Sequence, residues 1–266
     1  KYMPSARKIL AVDIGNTNIT LGVFQGMQVL ASARAITMRR TADETDAMIC
    51  GLLLQKGISL TGLDAAVVAS VVPGATAAFH SAIRRHKLDV LDIGDPAVRG
   101  LVKIDYRPPS SVGADRIANA AAAHELYRDR RSKIVVDFGT ATTFDCVAAD
   151  GTYLGGAIHP GVEISAQSLF EKTAQLPHID FALARSAVGK DTPGSIRAGL
   201  FFGIVGAVRE IAGVLEREIG PALRIGTGGL SPLVCPAVGG FHAVDVDLTL
   251  KGIKILFDKF HSRQVA

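Results

Sequence analysis

An internal repeat constrains this chain more than any other feature. Ile9-Leu10-Ala11-Val12-Asp13-Ile14-Gly15-Asn16 reads as a buried strand ending in Asp-apolar-Gly-polar, and Ile134-Val135-Val136-Asp137-Phe138-Gly139-Thr140 repeats that ending. The offset is 137 − 13 = 124 residues. A second strand-like run follows each turn, Ile19 to Phe24 and Thr143 to Ala148, then a tight turn at Gln25-Gly26 or Asp150-Gly151, then a third run. This pattern, present once per half, predicts an α/β protein of two related domains, each a mixed sheet flanked by helices, with a cleft between them.

The remaining segments alternate in type. The first half predicts a helix from about Asp43 to Gln55, a strand from Ala65 to Val71, a helix from Ala75 to His86 and a strand from Asp89 to Ile93. In the second half Thr192-Pro193 opens a long apolar-periodic helix to about Glu218, Leu223 to Gly226 reads as a strand, and Thr249 to Phe260 as a closing helix. The charged Tyr127 to Ser132 segment marks the junction, giving domains 8–128 and 129–266.

Composition removes several function classes. The hydrophobic fraction of 48% excludes disorder. No apolar run reaches the roughly 18 residues that a membrane span needs, and Lys1 to Arg7 lacks the apolar core of a secretory signal, which points to the cytoplasm and to no membrane partner. Cys50, Cys146 and Cys235 are far apart and set among apolar neighbours, so they predict buried thiols rather than disulfides or a zinc site. The net charge of +4 is dispersed and not interleaved with aromatics, which argues for an anionic small ligand over nucleic acid.

The two turns carry the chemistry. In the first, Asp13 sits at a strand end beside Gly15, which lets backbone approach a ligand, while Asn16, Thr17 and Asn18 supply donors for phosphate oxygens. Asp13 can hold a hydrated magnesium ion that offsets phosphate charge. In the second, Asp137 is a candidate cation ligand and Thr140 a candidate phosphate donor, whereas Thr142, Thr143 and Asp145 are equally explained as strand residues with an exposed face. Either turn alone can be an Asx-type bend, for which Asp, Gly and Asn are common; two at matched positions favour function.

A third feature is the proline-stiffened loop Tyr106-Arg107-Pro108-Pro109-Ser110-Ser111-Val112-Gly113-Ala114-Asp115-Arg116, which leads into an alanine-rich helix. Asp115 falls in its first turn, where it can be a dipole partner; there the helix dipole would lower its pKa and make it a weak base. In phosphoryl transfer a carboxylate that orients the attacking hydroxyl contributes mainly by positioning, and Arg116 can bind an acidic group or the transferring phosphate. Gly226-Thr227-Gly228-Gly229-Leu230 is a suitable place for adenosine to lie on bare backbone. Gly155 to Gly161 reads as a close-approach loop, with His159 a local hydrogen bonder, and the seven histidines show no metal-binding spacing.

Together these motifs, in this order, resemble those of the type III pantothenate kinases, a bacterial family of the acetate and sugar kinase, Hsp70 and actin superfamily, over nearly the whole chain. The resemblance implies ribonuclease H-like (actin-like ATPase) domains, and phosphorylation of pantothenate by ATP to 4'-phosphopantothenate, the first step of coenzyme A synthesis. It implies that Asp115 accepts the proton and that Tyr106, Gly113, Ala114, Asp115 and Arg116 form the pantothenate site. Asp13, Ile14, Gly15, Asn16, Thr17, Asn18, Ile19 and Thr20 would form the ATP phosphate loop, with Thr140 a further ATP contact. Asp137 would bind a monovalent cation, potassium or ammonium, and Thr192 would touch pantothenate across a homodimer interface, although N-capping of the helix at Pro193 explains Thr192 equally well. Another superfamily small-molecule kinase, a regulatory accessory protein, or an ATP-driven actin-like or Hsp70-like machine are the alternatives.

Overall fold

The computed structural model describes residues 7–172, 176–177 and 179–265. Lys1 to Ala6, the head of the N-terminal segment considered above, lies outside the described residues. The chain forms two compact units: one from the described residues of Lys1–Lys103, Arg107–Ala122 and Leu248–Ala266, the other from Ile104–Tyr106 and Ala123–Asp247.

In the first unit, β1 (Lys8–Ile14) is buried at Ile9, Leu10, Ala11, Val12 and Ile14 because it lies in the middle of its sheet. It pairs antiparallel with β2 (Asn18–Gln25), and β2 pairs antiparallel with β3 (Gln28–Ile36). On the other side β4 (Ala65–Ser70) runs parallel to β1, and β5 (Asp89–Asp92) parallel to β4, giving the order β3-β2-β1-β4-β5. The continuous apolar character of β1 and β4 is what strands covered on both faces require, whereas β3 alternates between exposed and half-buried.

Helices α1 (Ala42–Leu54) and α2 (Pro73–Arg85) pack on this sheet through Ile49, Leu53, Phe79 and Ile83. A capping box starts α1: Glu44 N–H donates to the Thr41 hydroxyl at 3.2 Å, and Thr41 N–H to the Glu44 carboxylate at 2.8 Å. A proline in the first turn of α2 sets its start. The short α3 (Pro96–Arg99) and then α4 (Ala114–Leu126) follow.

The second unit repeats the plan. Central β6 (Ser132–Phe138) pairs antiparallel with β7 (Ala141–Val147), and β7 with β8 (Tyr153–Pro160); β9 (Ala222–Thr227) runs parallel to β6, and β10 (Ala243–Val244) parallel to β9. The order β10-β9-β6-β7-β8 is the first sheet's order with each strand replaced by its counterpart. Helices α5 (Val162–Glu171), α6 (Thr192–Ile219) and α7 (Ser231–Val238) enclose a core of Ile134, Val136, Phe144, Phe201, Ile204, Val208 and Val234.

Three features differ from what the sequence led us to expect. Gly155 to Pro160 is not a loop but most of β8, whose pairing shifts register where β7 passes Cys146 and Val147. The chain leaves the first unit inside α4 rather than at Tyr127 to Ser132, and the closing helix α8 (Leu248–Val265) belongs to the first unit, where it packs on β1, β2 and β4. Among the described residues, α6 is the one helix long and apolar enough to cross a membrane by length and composition. Arg197, Arg209 and Glu210 interrupt its apolar run in the sequence, which hid that property.

Helix α8 fixes α4 by backbone contact. Gly252 lies so close to the Ala118 carbonyl of α4 that a Cβ there would overlap it, and the Thr249 hydroxyl donates to the Asn119 side chain at 2.8 Å. Backbone cannot move aside as a flexible side chain can, so Gly252→Ala is expected to cost at least about 1–3 kcal/mol of stability. Urea denaturation of the purified variant measures this; an unchanged midpoint would show that the two helices separate freely.

Candidate active site

The first phosphate-type turn closes the β1–β2 hairpin. Asp13 stands opposite Thr20, Ile14 opposite Ile19, and Gly15 N–H donates to Asn18 O at 3.0 Å across the turn. A strap from the end of β3 holds it in place: the Thr37 hydroxyl donates to Gly15 O at 2.7 Å and Thr37 N–H to Thr17 O at 2.8 Å. Asn16 is exposed at the tip, while Asp13, Gly15, Thr17, Asn18 and Thr20 are half-buried and Ile14 and Ile19 anchor the turn in the core.

Within the same unit the structure brings the Gly113–Arg116 segment beside this turn. Val71 joins them, donating its N–H to Ile14 O at 3.1 Å and resting its side chain against Gly113. The preceding loop contains a cis Arg107–Pro108 bond and is tied down by Arg99, whose guanidinium donates to Pro109 O at 2.8 Å and Val112 O at 3.0 Å.

Asp115 folds back over the bare Cα of Gly113 and accepts Arg116 N–H at 2.8 Å, so it does bond the first turn of α4. Its pKa moves against expectation, however: burial raises it above the ordinary carboxylate value and outweighs the lowering by the Arg116 N–H and the Arg116 charge. Desolvation thus makes Asp115 a better base than its helix position alone would. Arg116 is itself 9% exposed, enclosed beside that carboxylate.

In the second unit the β6–β7 turn is the counterpart, shorter by one residue. Asp137 stands opposite Thr143 and Phe138 opposite Thr142, and Gly139 N–H donates to Ala141 O at 3.1 Å, with half-buried Thr140 in the turn. Asp137 also neighbours Thr227 on β9. Gly228, with φ of 85°, comes so near that an added Cβ would lie 2.5 Å from Asp137 Oδ1 and 2.7 Å from Phe138 O. Only glycine combines that backbone conformation with that approach.

Thr227 is fully buried, and its hydroxyl has no hydrogen-bond partner among the described residues. Asp137 Oδ1 and Phe138 O, which both face the bare Cα of Gly228, are oxygen donors of the kind that suits a hard cation rather than a soft one. Asp13, an oxygen donor at the edge of its turn, is likewise compatible with a magnesium ion held through water.

Tyr106 is positioned through β8. Asp105 N–H donates to Tyr153 O at 2.8 Å, the Tyr106 ring lies against Gly155, and its centroid is 6.2 Å from that of Tyr153 in an edge-on pair. The Tyr153 hydroxyl donates to Asp145 at 3.2 Å. Asp145 is therefore not on an exposed strand face but completely buried, an anchor two contacts behind Tyr106 that its alternating strand pattern did not reveal.

Thr192 is the first residue of α6 and not its cap; Asp191 caps the helix by accepting Gly194 N–H at 2.6 Å. Thr192 is exposed at a cavity of about 900 Å³ that Ser165, Leu169, Lys190 and Leu200 also line. His159 Nδ1 bonds its neighbour Pro160 O at 2.7 Å, a local contact.

A family model described as type III pantothenate kinase matches residues 9–213. A type III pantothenate kinase of Myxococcus xanthus (strain DK1622) is 41% identical over 257 residues, 96% of this chain and 99% of that protein. Among solved structures, the ethanolamine utilization protein EutJ from Carboxydothermus hydrogenoformans aligns with a TM-score of 0.57 at 14% identity, covering 96% of this chain and 92% of its own. MreB 5 of Spiroplasma citri bound to AMPPNP aligns with a TM-score of 0.57 at 11% identity over 98% and 99% of the two chains. At such identities the structures establish the actin-like ATPase fold alone.

Replacing Tyr153 by Phe removes a hydrogen bond to a buried carboxylate, so the variant is expected to lose about 1.5–3 kcal/mol of stability. Chemical denaturation checks this, and a variant as stable as the parent would mean that the Asp145 anchor is dispensable.

Proposed function

The chain belongs to the type III pantothenate kinase family, and from that premise we propose which of its residues carry the reaction. The protein is an ATP-dependent kinase that phosphorylates pantothenate in coenzyme A biosynthesis. Asp115 is the proton acceptor for the primary hydroxyl of pantothenate. The observation that carries this assignment is its fixed geometry, folded over the bare Cα of Gly113 and bonded to Arg116 N–H, where burial pushes its pKa up. A general base works best when its pKa approaches the working pH.

The remaining roles follow the chemistry of each group. The turn from Asp13 to Thr20 holds the ATP phosphates with backbone and side-chain donors, and Thr140 adds a hydroxyl to ATP. Asp13 holds magnesium through water, and Asp137, with Phe138 O, holds potassium or ammonium. When bound, such cations neutralise charge that develops on the transferring phosphoryl group. Tyr106 and the Gly113–Arg116 segment bind pantothenate, with Arg116 matching its carboxylate.

Thr192 contributes a further pantothenate contact from the partner subunit of a homodimer. Supporting a homodimer, only a third of the apolar stretch of α6 is buried, and Ile164, Phe170 and Phe202 of α5 and α6 stand exposed. Apolar surface of this kind on a compact unit favours association with a second copy. Substrates of this kind place the enzyme in the cytoplasm, acting on small molecules rather than on nucleic acid or membranes.

Asp115→Asn tests the central assignment. Turnover is expected to fall by at least about 100-fold, the lower end of what a positioned base contributes. A carboxyl whose folded pKa is raised stabilises the fold below its unfolded pKa and loses that contribution as pH rises through the folded value. At neutral pH the Asn variant should therefore unfold at the same temperature as the parent or higher. In the parent, protonation disables the base, so kcat/KM should decline in acid at a pH above the ordinary Asp value of 3.8. Full turnover by the variant would leave Asp115 only its helix-capping role.

A further inference from the structure

Helix α1 places Asp46 and Cys50 four residues apart, on one face, and α2 ends with His86 directed at them. His86 Nε2 is 2.6 Å from Asp46 Oδ1, Cys50 Sγ is 3.7 Å from the same oxygen, and Cys50 Sγ is 3.8 Å from His86 Nε2. The three donor atoms lie within 4.8 Å of one another. We propose that Asp46, Cys50 and His86 form a binding site for a borderline-soft divalent cation of the zinc class, using residues that phosphorylation of pantothenate does not employ.

The distances match that chemistry. With bonds of about 2.3 Å to sulfur and 2.0–2.1 Å to nitrogen or oxygen, tetrahedral ligands stand roughly 3.6 Å apart when one is sulfur and roughly 3.4 Å apart otherwise. Both sulfur separations already agree within a few tenths of an ångström. Only the Asp46–His86 contact must open, by under about 1 Å, which carboxylate rotation supplies. One thiolate, one imidazole and one carboxylate select zinc, cobalt or cadmium over magnesium.

The surroundings favour a cation as well. His86 caps the C-terminal end of α2, where the helix dipole is negative. The His86 and Asp46 side chains keep 21% and 28% of their surface, which leaves a fourth position for water. Cys50 is half-buried, contrary to the expectation of three buried thiols, whereas Cys146 and Cys235 are each 2% exposed. The Cys50 thiol donates to Asp46; metal binding releases that proton to solvent and leaves the thiolate as ligand. The sequence concealed the site because His86 lies 36 positions from Cys50.

The competing explanation is an ion pair that merely ties α1 to α2, with Cys50 filling space. Titration of the chelator-stripped full chain with Co2+ separates the two. One equivalent should bind with a thiolate-to-cobalt charge-transfer absorption, and both Cys50→Ser and His86→Gln should weaken binding by at least about tenfold, the first also losing the absorption. Retained pantothenate phosphorylation by the variants shows that they fold. In the unmodified protein, Zn2+ should also slow alkylation of Cys50, read by peptide mass. Failure of the parent to bind Co2+, binding unchanged in Cys50→Ser, or alkylation unaffected by Zn2+ would each overturn the site.

Discussion

The structure depends on an aspartate placed at the end of a buried central strand, just before a hairpin turn. Because β1 and β6 are covered on both faces, their ends are held rigidly, and Asp13 and Asp137 emerge at fixed positions with their turns closed by the following strands. The two turns are not interchangeable. The first carries amides and an additional residue, strapped by Thr37, and suits phosphate oxygens. The second is shorter, and its aspartate sits with the Phe138 carbonyl over Gly228, which suits an ion.

Rigidity of the proposed base comes from a different source. Asp115 rides on α4, and α4 is locked to α8 at Gly252 by backbone contact that no side-chain adjustment can loosen. Val71 connects this assembly to the first turn, so the proposed base and the proposed phosphate loop share one framework. Positioning of this kind is what a loose phosphoryl-transfer transition state demands of a protein.

Much of this was legible in the sequence, and the reasons are local. Strands such as β1 and β6 announce themselves as unbroken apolar runs ending in Asp-x-Gly, and α6 begins at Thr192-Pro193 as its proline requires. What stayed hidden needed tertiary knowledge. Glycines gave β8 no side-chain pattern, so it read as a loop. The sign of the Asp115 shift depended on burial in the folded chain, and helix position alone predicted the reverse. Asp145 and the Asp46–Cys50–His86 cluster likewise exist only once strands and helices pack.

The division of labour between the two turns is the claim on which the functional account rests, and monovalent-cation dependence tests it most directly. Phosphopantothenate formation from pantothenate, ATP and magnesium is to be measured with potassium and with potassium replaced by a bulky organic cation. The account predicts turnover that requires potassium. Equal turnover without it would contradict the role given to Asp137, and turnover of glucose, glycerol or acetate in place of pantothenate would contradict the site as a whole.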